Sequence, residues 1–286
     1  MKQRETILGR LQQKQADSRA IIGAGAGSGI SAKFLDRGGA DLIFIYNSGR
    51  FRMAGLSSWA GHLCFGDANQ IVLEMGEREI LPIVEQTPVI AGVCGIDPTR
   101  RMSHFLPKIV EAGFAGIINY PTVAVIDGRM REDLEASGMG FDKEVELIRL
   151  AADFDLFTTA YVCTPDEAIA MAEAGVHVII AHMGLTAGGS IGSNRTPALQ
   201  EAAGAVQVIA DAARWVRQDI ITLAHGGPIA VPEDAATLFT LCDVDGFVGA
   251  SSMERLPIEG PLQENTEAFA ALQIRRPRDV TGPGVR

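Results

Sequence analysis

The stretch of sequence that decides the fold is Val244-Asp245-Gly246-Phe247-Val248-Gly249-Ala250-Ser251-Ser252-Met253-Glu254-Arg255-Leu256-Pro257. It begins as a short apolar run, typical of a buried strand, and then breaks into a glycine, two serines and an arginine. A second apolar run, 220–224, ends in His225-Gly226-Gly227-Pro228. In a (β/α)8 barrel the loops after strands 7 and 8 commonly bind phosphate. We predict that these two segments are those loops.

Apolar runs bounded by Gly, Asn or Pro recur along the chain, as expected for parallel strands that are buried on both faces. The predicted strands are 20–25, 41–46, 89–94, 114–119, 156–162, 176–181, 220–224 and 244–249. Helix signals lie between them. Thr164-Pro165-Asp166-Glu167 combines an N-cap, a first-turn proline and a capping-box glutamate, which predicts a helix that ends at Gly175. Further helices are expected at 5–15, 97–112 and 196–215.

Eight strands separated by helices predict an α/β fold, a single (β/α)8 TIM barrel that occupies residues 1–286. In this prediction 1–19 holds an N-terminal helix that closes the bottom of the barrel, 20–257 holds eight βα units, and 258–286 holds a final helix and tail. A doubly wound open sheet is the alternative, because the sequence does not reveal strand order.

The predicted strand starts are separated by alternately short and long intervals. The extra length lies in the loops after strands 2, 4 and 6, at 47–66, 120–140 and 183–196. Because the βα loops of a barrel share one face, we expect these three segments to cover a single site. Segment 183–196 is rich in glycine, so we expect it to act as a mobile lid.

Composition restricts the class of protein. The formal charge of −10 disfavours non-specific binding to nucleic acid or to anionic membranes, since both require a cationic surface. No apolar run approaches the roughly 20 residues that span a bilayer, and 1–9 lacks the apolar core of a secretory signal. The four cysteines have no CxxC spacing, which favours free thiols in a reducing compartment. We therefore expect a cytoplasmic protein whose partner is a small anionic metabolite.

Two histidines are the candidate catalytic residues. His182 and His225 each follow an apolar strand directly, and each stands next to or near glycine, which would leave space for a substrate. Polar residues at the carboxyl ends of barrel strands are typical of active sites, and imidazole titrates near neutral pH. His177 lies inside a strand and is expected in the core, whereas the sequence assigns no role to His62 or His104.

Candidate residues for binding phosphate or carboxylate follow several of the strands. Serine hydroxyls, loop amides and arginine can all donate hydrogen bonds to an anion. The candidates are Gly25, Asn47, Ser48, Arg50, Asn119, Gly226, Gly227, Gly249, Ser251, Ser252 and Arg255. Arg50 and Arg52 could together hold a second anionic group. Alternatives remain for several candidates: Arg255 could pair with Glu254 or a neighbouring helix, Arg50 and Arg52 could instead lie in a solvated loop, and the two asparagines could be turn residues. The glycines at 23–29 miss the third position of a dinucleotide-binding fingerprint.

A metal site has weak support from the residues themselves. Divalent cations such as Mg²⁺ prefer several carboxylates, and Asp97 and Glu254 are the acids nearest the predicted strand ends. Asp97 is also a candidate helix N-cap, which is the more common role for an aspartate before Pro98.

The string Gly249-Ala250-Ser251-Ser252-Met253-Glu254-Arg255-Leu256-Pro257, together with Asn119-Tyr120-Pro121-Thr122 and His182-Met183-Gly184, resembles the phosphoenolpyruvate hydrolase-like TIM-barrel proteins, some of them labelled phosphonopyruvate hydrolases. The resemblance implies a barrel of the phosphoenolpyruvate/pyruvate type that forms a homo-oligomer. It also implies Mg²⁺ held by carboxylates at strand ends. This sequence has Asn47 and Asn119 where those acids are expected after strands 2 and 4.

We therefore expect a hydrolase or lyase that acts on a small phosphorylated or carboxylated metabolite resembling phosphoenolpyruvate or phosphonopyruvate. In this hypothesis Ser251, Ser252 and Arg255 bind the anion, and His182 or His225 transfers a proton. The alternative is a non-catalytic ligand-binding or assembly module, used in signalling, that has kept the barrel and lost turnover.

Overall fold

The computed structural model of the protein describes residues 3–274. Its strands form a closed parallel barrel in the order of the chain. They are β1 Ile21–Gly25, β2 Leu42–Ile45, β3 Val89–Val93, β4 Gly116–Asn119, β5 Phe157–Val162, β6 Val178–His182, β7 Ile221–His225 and β8 Gly246–Gly249. The barrel prediction is confirmed. The open-sheet alternative is wrong, because β8 pairs with β1 and leaves no edge between them.

Helices alternate with the strands around the barrel. Within 3–274 the α-helices are α1 Gln3–Ala16, α2 Gly29–Arg37, α3 Asn47–Met53, α4 Ala68–Met75, α5 Met102–Ala112, α6 Gly128–Ala136, α7 Phe141–Ala151, α8 Pro165–Glu173, α9 Leu199–Val216, α10 Pro232–Leu241, α11 Ser251–Glu254 and α12 Leu256–Ala270. Short 3₁₀ turns lie at Ser58–His62, Val123–Val125 and Ala152–Phe154, and a π turn lies at Gly76–Ile80. The predicted tail 275–286 lies outside the described residues.

Helix starts were predicted with mixed success. The capping box of α8 is present, since Thr164 accepts from the backbone of Glu167 and the Glu167 carboxylate accepts in return. The predicted start of α5 near Asp97 is wrong. The Asp97 carboxylate accepts from Thr99 and pairs with Arg100, which closes a turn, and the helix begins only at Met102. Similarly, α9 begins at Leu199 rather than at 196.

Alternate residues of each strand enter two different cores. In β2 and just beyond it, Leu42, Phe44 and Tyr46 belong to the cluster inside the barrel, whereas Ile43 and Ile45 pack between the barrel and the helices. This is the period-2 geometry of a strand buried on both faces. Ile7 and Leu11 of α1 join the interior cluster, so α1 packs against the barrel core.

The loops after β2, β4 and β6 meet at the carboxyl end of the barrel, as their lengths predicted. The first contains α3 and the 3₁₀ turn Ser58–His62, and the second contains the turn Val123–Val125 and α6. The third, 183–196, has no helix and is joined across its base by a bridge between Ala187 and Ser193. All three contribute residues to one central pocket. No helix among residues 3–274 is long and apolar enough to cross a membrane.

Candidate functional site

The central pocket lies over the barrel interior and encloses about 450 Å³, including the space open to solvent at its mouth. Three histidines, three tyrosines and one arginine are among the residues that line it. The hydroxyls of Ser48, Ser58, Thr186 and Ser251 add further hydrogen-bond donors.

His182 and His225 are adjacent in the pocket because β6 and β7 pair in register at these two residues. Their ring centroids are 4.8 Å apart. The backbone amide of Gly184 donates to His182 Nδ1 at 3.1 Å, so a neutral His182 carries its proton on Nε2. His225 Nδ1 lies 2.7 Å from the carbonyl oxygen of Val248, which only accepts, so a neutral His225 has a lone pair on Nε2. The backbone therefore fixes the two rings in opposite tautomers.

Burial keeps both rings neutral. Desolvation lowers the pKa of His225 to about 4, and desolvation together with the neighbouring His225 places the pKa of His182 well below its ordinary value. At neutral pH the pair is thus a hydrogen-bond donor, His182 Nε2–H, beside a hydrogen-bond acceptor, His225 Nε2. Neither Nε2 atom has a hydrogen-bond partner among residues 3–274.

Three tyrosines form the floor of the pocket. The hydroxyls of Tyr46 and Tyr161 are 2.7 Å apart, and the Tyr161 ring lies 4.9 Å from both His182 and His225 between centroids. Tyr120 packs against Tyr46 with 4.7 Å between centroids. Desolvation raises the pKa of Tyr120 to about 12 and raises the pKa values of Tyr46 and Tyr161 as well. All three hydroxyls therefore remain protonated donors at neutral pH.

A buried ion pair provides the formal charges near the pocket. Arg52 Nε donates to Glu254 Oε1 at 2.8 Å, and Arg52 Nη2 also contacts that oxygen. Glu254 Oε2 accepts from the amide of Gly27 at 2.8 Å. The two side chains are 2% and 1% exposed. Because Glu254 neutralises Arg52, an anion in the pocket would be bound mainly by hydrogen bonds, including those from Arg52 Nη1, which has no partner among the described residues.

His62 is a pocket residue that the sequence did not identify. It lies in the 3₁₀ turn Ser58–His62 and stacks edge-on against Tyr120, with 4.9 Å between centroids. Desolvation lowers the pKa of His62 to about 4. Its Nε2 atom is buried without a hydrogen-bond partner. The sequence offered no signal for it, because it lies in a loop, far from any strand end.

Four of the predicted site residues line the pocket: His182, His225, Ser48 and Ser251. The tyrosines at the strand ends, Tyr46 and Tyr120, were not proposed, although each is adjacent to an asparagine that was. Arg52, predicted together with Arg50 to hold a second anionic group, lines the pocket, whereas Arg50 does not. The structure thus brings together the two strand-end histidines and one serine from each of the loops after β2 and β8.

Neither asparagine reaches the pocket. Asn119 is fully buried, donates through Nδ2 to Glu144 at 2.6 Å and accepts through Oδ1 from the amide of Tyr161 at 2.7 Å. Asn47 donates to the carbonyl oxygen of Gly61 at 2.8 Å and so holds the loop after β2. Asn119 thus joins β4 to α7 and β5, and Asn47 joins the start of α3 to the turn Ser58–His62, which corrects their predicted placement.

The predicted glycines lie behind the pocket and allow close packing there. Gly226 and Gly227 have φ values of 76° and 58°, and a side chain on either would collide with the backbone of residues 183 and 184. Gly25 packs against Ala250 and Tyr46, and Gly249 packs against the residues after it. Their backbone conformation or close packing accounts for the glycine at each position, and none lines the pocket.

Arg50, Arg255 and Ser252 are also placed outside the pocket. Arg50 is partly exposed and pairs with Glu74 and Glu79 at 3.3 Å. Arg255 donates to Glu259 of α12 at 2.9 Å and to the carbonyl oxygen of Gly188 at 3.0 Å, so it holds the 183–196 loop. This agrees with the alternative that Arg255 pairs with a neighbouring helix. The Ser252 hydroxyl is buried without a partner.

The residues present do not fit a Mg²⁺ site of the kind that the resemblance implies. Glu254 is engaged by Arg52 and Gly27, and Asp97 lies in a separate groove, bound to Asn69 and Arg100. The pocket itself offers hydroxyl and imidazole donors, whereas Mg²⁺ prefers carboxylate oxygens. Among residues 3–274 no group of three or more His, Cys, Asp or Glu side chains is placed to hold a metal.

Comparison with known proteins agrees with the geometry of the barrel. A model of the family described as phosphoenolpyruvate hydrolase-like matches residues 6–272. The chain belongs to this family. The resemblance noted from the Gly249–Pro257 string is therefore confirmed.

Among curated proteins, the chain is 51% identical over 275 residues to the ToMV resistance protein Tm-1(GCR237) of Solanum lycopersicum. The match covers 96% of this chain but only 36% of the tomato protein. Phosphonopyruvate hydrolase, solved as a complex with oxalate and Mg²⁺, is a structural neighbour with a TM-score of 0.60 and 15% identity, covering 94% of this chain and 87% of the other. Phosphoenolpyruvate phosphomutase from Streptomyces platensis subsp. rosaceus has a TM-score of 0.61 and 17% identity, covering 93% and 87%. These two likenesses show a shared fold.

Proposed function

We propose that the protein is an enzyme, a hydrolase or lyase that acts on a small phosphorylated or carboxylated metabolite resembling phosphonopyruvate or phosphoenolpyruvate. The observation that supports this most is the histidine pair, whose opposite tautomers are fixed by the amide of Gly184 and the carbonyl of Val248. A site with a base and a proton donor side by side is suited to reactions that move a proton while charge develops on an oxygen.

In this proposal His225 Nε2 is the base. It takes a proton from the attacking water in a hydrolysis, or from a substrate hydroxyl when the adjacent carbon–carbon bond breaks in a lyase reaction. The Nε2–H of His182 donates to the oxygen that gains negative charge, and the protonated hydroxyl of Tyr161 lies beside both rings. Pre-oriented donors of this kind stabilise a developing oxyanion.

The anionic group of the substrate is placed near Arg52 Nη1 and the hydroxyls of Ser48 and Ser251, which line the same pocket. The donors of Arg52 and Ser48 come from the loop after β2, across the barrel mouth from β6, and Ser251 comes from the loop after β8, the strand that neighbours β7. Arg52 takes the role that the sequence suggested for Arg255. Because the polar groups do not suit Mg²⁺, we expect turnover that does not depend on that ion.

The test is release of pyruvate and phosphate from phosphonopyruvate, phosphoenolpyruvate and oxaloacetate by the purified protein, with EDTA and with added Mg²⁺. We expect pyruvate from at least one of these compounds at the same rate in both conditions. A rate that appears only with Mg²⁺ would show that the assignment of donors is wrong.

A non-catalytic binding or assembly module is the second candidate. It is favoured by the tomato relative, in which the matched region is 36% of a longer protein named for virus resistance rather than for a reaction. Thermal unfolding with the same compounds separates the two candidates. Stabilisation by a compound that is never turned over would support the binding module and contradict the enzyme.

Assembly as a homo-oligomer and a cytoplasmic location are further proposals from the family resemblance and the composition. Light scattering of the purified protein tests the first, and a monomer at micromolar concentration would contradict it. Fractionation of the cells that produce the protein tests the second.

A further inference from the structure

A second groove lies beside the central pocket on the same face of the barrel. It is formed by the loops after β2, β3 and β4 and encloses about 1260 Å³, including the space open to solvent at its mouth. The central pocket encloses about 450 Å³ on the same measure. Much of the groove wall is apolar, including Leu63, Ile96, Pro121, Val123, Ile126 and Met139.

The charged side chains of this groove are paired with one another. Arg100 contacts Asp67 at 2.5 Å and Asp97 at 2.7 Å, and Asn69 donates to Asp97 at 2.9 Å. Two carboxylates face one guanidinium, so the cluster has a net negative charge. An anionic group is therefore disfavoured in the groove, whereas an uncharged apolar group can be buried there.

His62 connects the groove to the central pocket, since it lines both. The chain also passes directly from one to the other at Tyr120, which lines the pocket, and Pro121, which lines the groove. The pocket and the groove therefore share a wall at His62, and a ligand that extends from one into the other would have to pass this ring.

His62 also has an unsatisfied polar atom at this junction. Its Nδ1 lies 3.4 Å from the Tyr120 hydroxyl, and its Nε2 is buried without a partner. When the Tyr120 hydroxyl donates to Nδ1, the neutral ring presents Nε2–H as a donor. A buried donor without an acceptor is destabilising, so an oxygen atom of a ligand at this point would gain a hydrogen bond that the free protein lacks.

We propose that the groove binds the apolar side chain of the substrate. The substrate is then an acid with two parts, an anionic oxo-acid head in the central pocket and an uncharged chain of several carbons that passes His62 into the groove. The position of the head rests on the proposed function, whereas the position of the chain rests on the groove itself.

The test compares the binding of pyruvate and 2-oxooctanoate by isothermal titration calorimetry. Because each buried methylene group contributes to affinity, we expect 2-oxooctanoate to bind at least about tenfold more tightly than pyruvate. The Ala68→Phe substitution fills the groove from the start of α4. In this variant the two acids should bind with nearly equal Kd, while the Kd of pyruvate stays the same as in the parent protein. Ala136→Phe, on an exposed position of α6, is the matched control and should keep the full advantage.

Equal affinity for the two acids in the parent protein would overturn the proposal. Weaker binding of both acids by the same factor in Ala68→Phe would also overturn it, because the substitution would then not act specifically on the carbon chain. Thermal unfolding checks that each variant is folded, and Met139→Trp provides a second way to fill the groove. Tighter binding of 2-oxooctanoate without turnover of any oxo acid would contradict the enzymatic proposal and still support the groove assignment.

Discussion

Two parts of the barrel rim use their strand-end residues in different ways. At β6 and β7 the last residues, His182 and His225, lie in the central pocket. At β2 and β4 the asparagines at or just after the strand ends lie outside the pocket: Asn47 donates to the carbonyl oxygen of Gly61, and Asn119 donates to Glu144 of α7. A polar residue at a strand end thus identifies the functional face of a barrel, but it does not show which way its side chain points.

Strand alternation explains the difference. His182 is in phase with Val178 and Ile180, which lie inside the barrel, and His225 is in phase with Ile221 and Leu223. At β4, however, the inward positions are 118 and 120, so Tyr120 enters the pocket and Asn119 points outward to Glu144. One residue of displacement along a strand exchanges an inward side chain for an outward one.

The largest effect is expected for the two histidines at the ends of β6 and β7. His225→Gln should lower kcat by about 10²–10⁴-fold, because an amide cannot accept a proton. His182→Gln should lose less, since its amide can still donate a hydrogen bond. His104→Gln, exposed on α5, is the matched control and should retain the parent rate. A larger loss of kcat in His182→Gln than in His225→Gln would reverse the assigned roles. Full activity in both variants would mean that neither histidine is catalytic.

The second-largest effect is expected after β2, where Arg52 rather than Asn47 lines the pocket. Glu254→Gln leaves the Arg52 guanidinium buried without a counter-ion, which should cost about 3–5 kcal/mol in the free energy of unfolding. The control is Glu74→Gln, which disrupts the partly exposed pair with Arg50 and should change stability little. Urea unfolding measures both. Equal stability losses would mean that burial of the Arg52 pair has no energetic consequence.

Dependence on pH gives a further test of the histidine side, because burial lowers the pKa of His225. The pKa of His225 is about 4 in the folded protein and near 6.5 in the unfolded chain. Between these values the unfolded state binds more protons, so stability is present above pH 6.5 and is lost as the pH falls toward 4. His225→Gln should flatten this loss in thermal unfolding curves, and His104→Gln should not. An unchanged slope in His225→Gln would indicate that the ring titrates normally.

The smallest effect is expected for Asn119 at the end of β4. Asn119→Ala removes donors to Glu144 and Tyr161, which should cost about 1–3 kcal/mol of stability because buried partners lose their hydrogen bonds. The kcat of the folded variant should equal that of the parent. A stable variant with reduced kcat would place Asn119 in the active site after all, and the comparison between the two parts of the rim would fail.

The fold was predictable because parallel strands buried on both faces leave continuous apolar runs, and the loop lengths correctly indicated the three segments around the pocket. The same property concealed part of the site. When both faces of a strand are apolar, the sequence does not reveal which residues point inward, so Tyr46 and Tyr120 were missed beside Asn47 and Asn119. Arg52 and Glu254 are separated by 202 positions, and no local pattern indicates that they pair.

The Arg52–Glu254 pair also has a consequence for synthesis. Arg52 leaves the ribosome long before Glu254 is made, and Glu254 follows directly after the last strand of the barrel. Until that residue emerges, closing the nascent barrel would enclose a guanidinium without its counter-charge. Incomplete chains therefore have an electrostatic reason to stay open until Glu254 has been made.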